Sequence, residues 1–227
     1  MQSFAACAGR GSLEKLFEAF RNRAREEKGK ENTNGEVFLV VGLGNPGREY
    51  RETRHNVGFM ALDRLARSFD TTLGRMQSKA LVGTAVLTGK RVILAKPQTY
   101  MNLSGQAVSG LLNFYKVPVE HLMVIHDDID LPFGSLRIRP GGGSAGQRGI
   151  ASIIQQLGNQ QFARVRIGIG RPPGQKAAAD YVLQDFHDDE TDLLESILER
   201  AGLAARAFIQ DGLEKAMNLY NGDINRE

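Results

Sequence analysis

Val37-Phe38-Leu39-Val40-Val41-Gly42-Leu43-Gly44-Asn45-Pro46-Gly47 is the stretch that decides the fold class. Its first five residues are all apolar and rich in β-branching, as in a strand buried on both faces. The glycines that follow end the strand in a turn and match the G-x-G-x-x-G spacing of a dinucleotide-binding loop. The context does not fit that use. A dinucleotide fingerprint needs its third glycine inside a helix that begins in the loop. Here Pro46 and the polar run from Arg48 to Asn56 delay the next helical pattern by about a dozen residues. Asp63, near the distance at which an acidic residue would meet a ribose, falls within that helical pattern instead of ending a second strand.

Working outward, Met60, Leu62, Leu65, Ala66 and Phe69 recur at helical spacing between Gly58 and Phe69. Ala80 to Leu87 and Val92 to Ala95 read as strands around Thr88-Gly89, a hairpin signal. Gly105 to Tyr115 reads as a helix stopped before Pro118, and Leu122 to Ile125 as another central strand. Ser135 to Arg139 and Val165 to Ile169 read as strands around a glycine-rich loop and a helix near Ile150 to Leu157. The chain is helical from about Asp188 to Tyr220. Short strands mixed with helices predict one α/β domain, a twisted mixed central sheet flanked by helices. Upstream, Leu13, Leu16, Phe17, Phe20 and Ala24 predict an extra N-terminal amphipathic helix over 12–30, with Ser12 as its N-cap and a polar linker after it. The expected division is residues 1–35, helix and linker with a partner unknown, and 36–227, the main domain.

A chain of 227 residues with 41% hydrophobic and 24% charged residues has room for one sizeable core. The longest apolar runs, such as Val37 to Leu43, are too short to span a bilayer, so no membrane is expected. Cys7 is the single cysteine, which excludes an internal disulfide. Arg10 and Glu14 lie in an N-terminal region without a long apolar stretch, which argues against a signal or transit peptide and for a cytoplasmic location. The net charge of +3 does not announce a nucleic-acid binder, but its distribution does. Between Leu131 and Ala179 there is no Asp or Glu, while Arg137, Arg139, Arg148, Arg164, Arg166, Arg171 and Lys176 fall inside. Such a basic window suits contacts to a phosphate backbone, and a solvated surface of uneven charge is the competing reading.

Three short motifs carry candidate chemistry. Asn45 offers an uncharged donor and acceptor at the C-terminal end of a central strand, where open α/β sheets place ligands; an Asx turn is its alternative use. His55 stands in Thr53-Arg54-His55-Asn56 just before a helix. A lone histidine is more often structural, so its company matters. Asn102 adds a second neutral amide, and His126-Asp127-Asp128-Ile129-Asp130 brings carboxylates just after a strand. A carboxylate bound to one imidazole nitrogen leaves the other free to take a proton from water. The acidic run is open to two further uses, a divalent cation or a plain acidic turn. No serine or cysteine stands in a nucleophile motif, which favours water as the attacking group.

Phe38 to Gly47, Tyr50 with Thr53 to Gly58, Lys96-Pro97-Gln98-Thr99-Tyr100-Met101-Asn102-Leu103-Ser104-Gly105, His126 to Pro132 and Arg166 to Pro172 together resemble the signature of bacterial-type peptidyl-tRNA hydrolases. The resemblance runs from about residue 37 to the C-terminus. It implies a monomeric, metal-independent esterase without a cofactor, on a single α/β domain, acting on peptidyl-tRNA released from stalled ribosomes. By that resemblance His55 is the base and Asp127 orients it. Asn45 and Asn102 hold the peptide near the scissile ester, while Tyr50 and Tyr100 line the tRNA-facing crevice. Arg137, Arg139 and Arg166 supply phosphate contacts. The match breaks at Gly146-Gln147-Arg148-Gly149, where the family usually has Gly-His-Asn-Gly. Arg148 has only donors and a fixed charge where an amide is usual, so it either holds a phosphate or the ester oxygen, or marks a catalytically weakened RNA-binding protein on the same fold.

Overall fold

In the computed structural model, residues 35–172, 174 and 177–224 are described. The helix expected over 12–30 lies outside the described residues. Strand β1 (Val37–Gly42) runs through the middle of an eight-stranded sheet and is followed by helix α1 (Val57–Ser68). Strands β2 (Arg75–Gln77), β3 (Ala80–Leu87) and β4 (Lys90–Pro97) come next, then α2 (Ser104–Tyr115) and β5 (Leu122–Asp128). Strand β6 (Ser135–Arg139), helix α3 (Arg148–Leu157) and β7 (Ala163–Gly168) follow. The chain closes with α4 (Ala178–Val182), α5 (Thr191–Asp211), α6 (Leu213–Tyr220) and β8 (Gly222–Asp223). The spatial order is β2-β3-β4-β1-β5-β7-β6-β8.

The four central strands β4, β1, β5 and β7 are parallel, and the flanking pairs are antiparallel. This is the mixed sheet that the interleaved pattern predicts, and its helices form two layers. Phe38 and Val40 of β1 face α1 and α5, while Leu39 and Val41 face α2 and α3. A strand sandwiched in this way has no wet face, which is why its sequence shows no alternation. Strands β6 and β7 do alternate. Leu136, Ile138, Val165 and Ile167 join the α5 side, and Arg137, Arg139, Arg164 and Arg166 occupy the positions between them. α2 and α3 pack over β1 and the start of β5, so the arginine face of β6 and β7 lies outside their hydrophobic cluster.

Two glycines allow α1 to lie directly on the sheet. A Cβ on Gly42 would meet the Gly58 carbonyl oxygen at 2.2 Å, and one on Gly58 would meet the Ile125 oxygen at 2.4 Å. The backbone contact sets how near the start of α1, and so His55, comes to the ends of β1 and β5. The elements missing from the sequence reading are β2, β8 and α4, all too short to show a period. The C-terminal helical stretch is also divided. Gly212, at φ 92°, separates α5 from α6, which returns to pack on β6.

Candidate active site

The C-terminal ends of β1 and β5 lie side by side, with Gly42 opposite Ile125 and the Leu43 N–H donating to the Ile125 carbonyl at 2.9 Å. The turn after β1 and the carboxylates after β5 therefore share one rim. Asn45 is clamped there by a residue the sequence reading passed over. Asn56 accepts the Asn45 N–H at 2.8 Å and donates its own amide to the Asn45 carbonyl at 3.0 Å. The Asn45 side-chain oxygen accepts the Met101 N–H at 2.9 Å. Its NH₂ is left for a ligand, since the acceptor side of the amide is committed to a backbone donor. Asn45 is thus built into the rim instead of closing an Asx turn on itself.

His55 lies in a 3-10 turn, Arg54–Asn56, that leads into α1. Its Nδ1 faces Asp127 Oδ2 at 2.8 Å, and the two side chains are 12% and 4% exposed. The bond sets the tautomer: Nδ1 carries the proton toward the carboxylate, and Nε2 is free to accept one. Burial disfavours the imidazolium, but the charge and hydrogen bond of Asp127 outweigh it, and the His55 pKa is raised above 6.5 despite opposition from Arg148. For Asp127, burial pushes the pKa up, while His55 and a hydrogen bond from Gln147 pull it lower; the net shift is down from 3.8. The carboxylate stays ionised at neutral pH.

Gln147 is the other residue that sequence reading missed. It caps α3 by accepting the Ile150 N–H at 2.8 Å and donates to Asp127 Oδ1 at 3.0 Å. Glutamine is not among the residues that usually cap helices, so neither its cap nor its bond to Asp127, 20 residues away, is legible in the sequence.

A cavity of about 600 Å³ opens beside His55 and is walled by Asn45, Tyr100, Asn102, Asp127 and Arg148, with apolar Val182 and Leu183 among the residues completing it. Tyr100, 61% exposed, and Asn102 stand at its mouth. Arg148 is exposed at the first position of α3. Tyr50 is not brought into this cavity. It is half-buried in a 3-10 turn whose carbonyl accepts the Thr53 hydroxyl at 2.8 Å. A groove of about 650 Å³ on the other side of Asn45 contains neither His55 nor Asp127, and two ion pairs, Lys96–Asp63 and Arg64–Glu195, line it.

The basic window is less bare in space than in sequence. Arg166 Nε donates to Asp128 at 2.5 Å, and Arg171 pairs with Asp130 at 2.7 Å. Arg164 is buried and holds the glycine loop through the Gly142 and Gly143 carbonyls. Burial and the neighbouring Arg166 push its pKa down to about 10, so it remains charged at neutral pH. Arg139, Arg164 and Arg166 share a smaller hollow of about 170 Å³ with the glycine loop, while Arg137 is exposed on β6. The three carboxylates of the acidic run thus serve three different partners, His55, Arg166 and Arg171, and do not converge. Among the described residues no group of three or more His, Cys, Asp or Glu side chains has a metal-binding arrangement, and no helix is long and apolar enough to cross a membrane.

Comparison with known proteins shows what the chain as a whole is similar to. The sequence model described as peptidyl-tRNA hydrolase matches residues 39–227. A peptidyl-tRNA hydrolase of Desulforudis audaxviator is 53% identical over 183 residues, covering 81% of this chain and 92% of the relative. One from Chloroflexus aggregans is 48% identical over 186 residues, covering 82% and 99%. The crystal structure of peptidyl-tRNA hydrolase from Acinetobacter baumannii superposes with a TM-score of 0.77 at 34% identity, over 82% of this chain and 95% of that one.

Proposed function

The chain belongs to the peptidyl-tRNA hydrolase family, and from that premise we propose that His55, oriented by Asp127, is the general base of its reaction. The protein hydrolyses the ester that joins a peptide to tRNA and so returns the tRNA for reuse. The observation that carries the reading is the 2.8 Å bond between His55 Nδ1 and Asp127 Oδ2 at the wall of a cavity shared with two neutral amides.

In this reading Nε2 of His55 removes a proton from water as the oxygen attacks the ester carbonyl. Asp127 stabilises the imidazolium that forms. The uncommitted NH₂ of Asn45 and the amide of Asn102 donate to the oxygen on which charge develops. The carbon–oxygen bond to the ribose then breaks, and the imidazolium returns its proton to the leaving hydroxyl. Tyr100 borders the path of the tRNA end, and Tyr50, away from the cavity, is assigned to the RNA surface beyond it.

Arg137, Arg139 and Arg166 take tRNA phosphates on the arginine face of β6 and β7. Such contacts position the RNA without reading its sequence, which suits an enzyme that accepts many tRNAs. Arg139 carries more of this than Arg166, whose charge is already shared with Asp128. Arg148 presents its donors to the ester oxygen in place of the usual amide. The complete relay of His55, Asp127 and Gln147 supports hydrolysis over a role in RNA binding alone. Residues 36–227 are taken as the working unit, with 1–35 appended to it, and the protein as a cytoplasmic monomer acting on what stalled ribosomes release.

The test is release of an N-blocked amino acid from N-blocked aminoacyl-tRNA, with unblocked aminoacyl-tRNA as control. Cleavage of the blocked form by wild type, none by His55→Ala, and tRNA affinity unchanged in that variant are expected. Wild-type turnover in His55→Ala would remove His55 from the mechanism.

A further inference from the structure

Gln147 has two partners whose hydrogen-bonding roles cannot be exchanged. The Ile150 N–H can only donate, and it does so to Oε1 at 2.8 Å. The ionised Asp127 carboxylate can only accept, and it does so from Nε2 at 3.0 Å. Turning the amide over would set donor against donor at Ile150 and acceptor against acceptor at Asp127, so the network admits one orientation. The side chain is buried, and Nε2 also lies 3.3 Å from the Met101 sulfur.

From this geometry, and resting on the assignment of His55 as the base, we infer that Gln147 is a positioning residue of the hydrolysis: it fixes Asp127 Oδ1 so that Oδ2 faces His55. The bonds run from the Ile150 N–H through Gln147 and Asp127 to His55, and they end one ring away from the nitrogen that takes the proton from water. An amide suits the place because it donates without adding charge, so the full charge of Asp127 acts on the imidazolium. The same residue closes the glycine loop, since its backbone N–H donates to the Ser144 carbonyl at 2.9 Å. Arg164 holds that loop from below through Gly142 and Gly143. The alignment of the base is therefore tied to the loop and to the first turn of α3, elements that contribute no group of their own to proton transfer.

The discriminating variant is Gln147→Glu, which keeps the length of the side chain and an oxygen for the Ile150 N–H. It sets a second carboxyl against Asp127, and two carboxylates at that separation share a proton instead of both ionising. While the proton is present, the introduced carboxyl donates as the amide did; once it is lost, Asp127 is repelled from its place. We expect a new descending limb in the kcat profile of Gln147→Glu, with kcat falling at least about tenfold as pH rises while KM stays within about threefold of wild type. Gln147→Ala should lower kcat at every pH and move the titration of the His55 ring proton followed by NMR. A Gln147→Glu profile of wild-type shape, or a loss carried by KM alone, overturns the inference. His55→Ala measured alongside separates the two levels. If it is inactive while Gln147→Glu keeps the wild-type profile, only the role of Gln147 fails; if it is fully active, the base assignment fails and takes this inference with it.

Discussion

Replacing Asp127 by Asn tests the relay most sharply, because the structure leaves the new amide no satisfactory orientation. Asp127 accepts two hydrogen bonds, from His55 Nδ1 at 2.8 Å and from Gln147 Nε2 at 3.0 Å. An amide has one accepting and one donating end. If its oxygen faces Gln147, its NH₂ faces His55 Nδ1 and drives the ring proton to Nε2, the nitrogen that must be bare to act as base. If its oxygen faces His55, two NH₂ groups meet at about the present 3.0 Å separation. Gln147 cannot turn away without uncapping α3. The first arrangement is the cheaper, so general-base catalysis is lost. That is worth about 10² to 10⁴ in kcat, or roughly 3 to 5.5 kcal/mol at 1.36 kcal/mol per tenfold. The pH dependence changes as well. In wild type the base must be neutral, so activity should rise with pH through a value above 6.5. Without the Asp127 charge, burial and Arg148 remain, and both disfavour the imidazolium, so the acid limb of the residual activity should move to lower pH. The assay is release of N-acetyl amino acid from N-acetyl-aminoacyl-tRNA across pH, with KM expected to change little. Turnover within about threefold of wild type, with an unmoved acid limb, would refute this account of the relay.

Arg148→Asn removes a positive charge that opposes protonation of His55, so the acid limb of kcat/KM should shift to higher pH; an unmoved limb would disconnect Arg148 from the base. Arg54 is buried, forms a two-pronged pair with Glu190 and packs between the rings of Tyr181 and Phe186, each 4.8 Å away. Arg54→Ala removes that packing and the pair but leaves Glu190 open to solvent, and should cost about 1 to 3 kcal/mol in urea denaturation at neutral pH. Burial pushes the Glu190 carboxyl up, but its hydrogen bonds to Arg54 and to the His187 N–H bring it below 4.5. The stability from that pair is thus present above 4.5 and lost as pH falls through the lower folded value, so the gap between wild type and variant should narrow in acid. Gly58→Ala places a Cβ 2.4 Å from the Ile125 oxygen and 2.6 Å from the Leu43 oxygen, and a loss of about 2 to 3 kcal/mol or more should appear as a lower Tm. RNA binding should weaken steeply with salt, and Arg139→Ala should reduce the slope of log affinity against log salt by about 1; salt-independent binding would rule out the phosphate contacts.

Local patterns were the legible part of this chain. β1 could be read because a strand buried on both faces must be apolar throughout, and α1 because one side of it repeats at the helical period. The Asn45 turn and the acidic run could be read because each follows such a strand, while the roles of His55 and Asp127 followed from the family resemblance. The arginines of β6 and β7 were visible as a charge bias but not as a surface. Their alternation with Leu136, Ile138, Val165 and Ile167 becomes a face only when the strands pair, and at Arg164 that face is covered by the glycine loop.

What only the tertiary structure decided is which polar groups meet. His55 and Asp127 are 72 residues apart, Asn45 and Met101 are 56, and Asp127 and Gln147 are 20. No periodicity spans such distances, because a hydrogen bond between side chains is set by strand register and helix placement and not by neighbours along the chain. The register of β1 on β5 and the glycine contact between Gly42 and Gly58 bring the three segments to one rim. The acidic run shows the same division. The sequence determined that Asp127, Asp128 and Asp130 exist together, while the fold sent Asp127 to His55, Asp128 to Arg166 and Asp130 to Arg171. Successive strand side chains point in different directions, so Asp127 and Asp128 at the end of β5 reach different partners although both border the same cavity, and Asp130 lies in the turn beyond the strand.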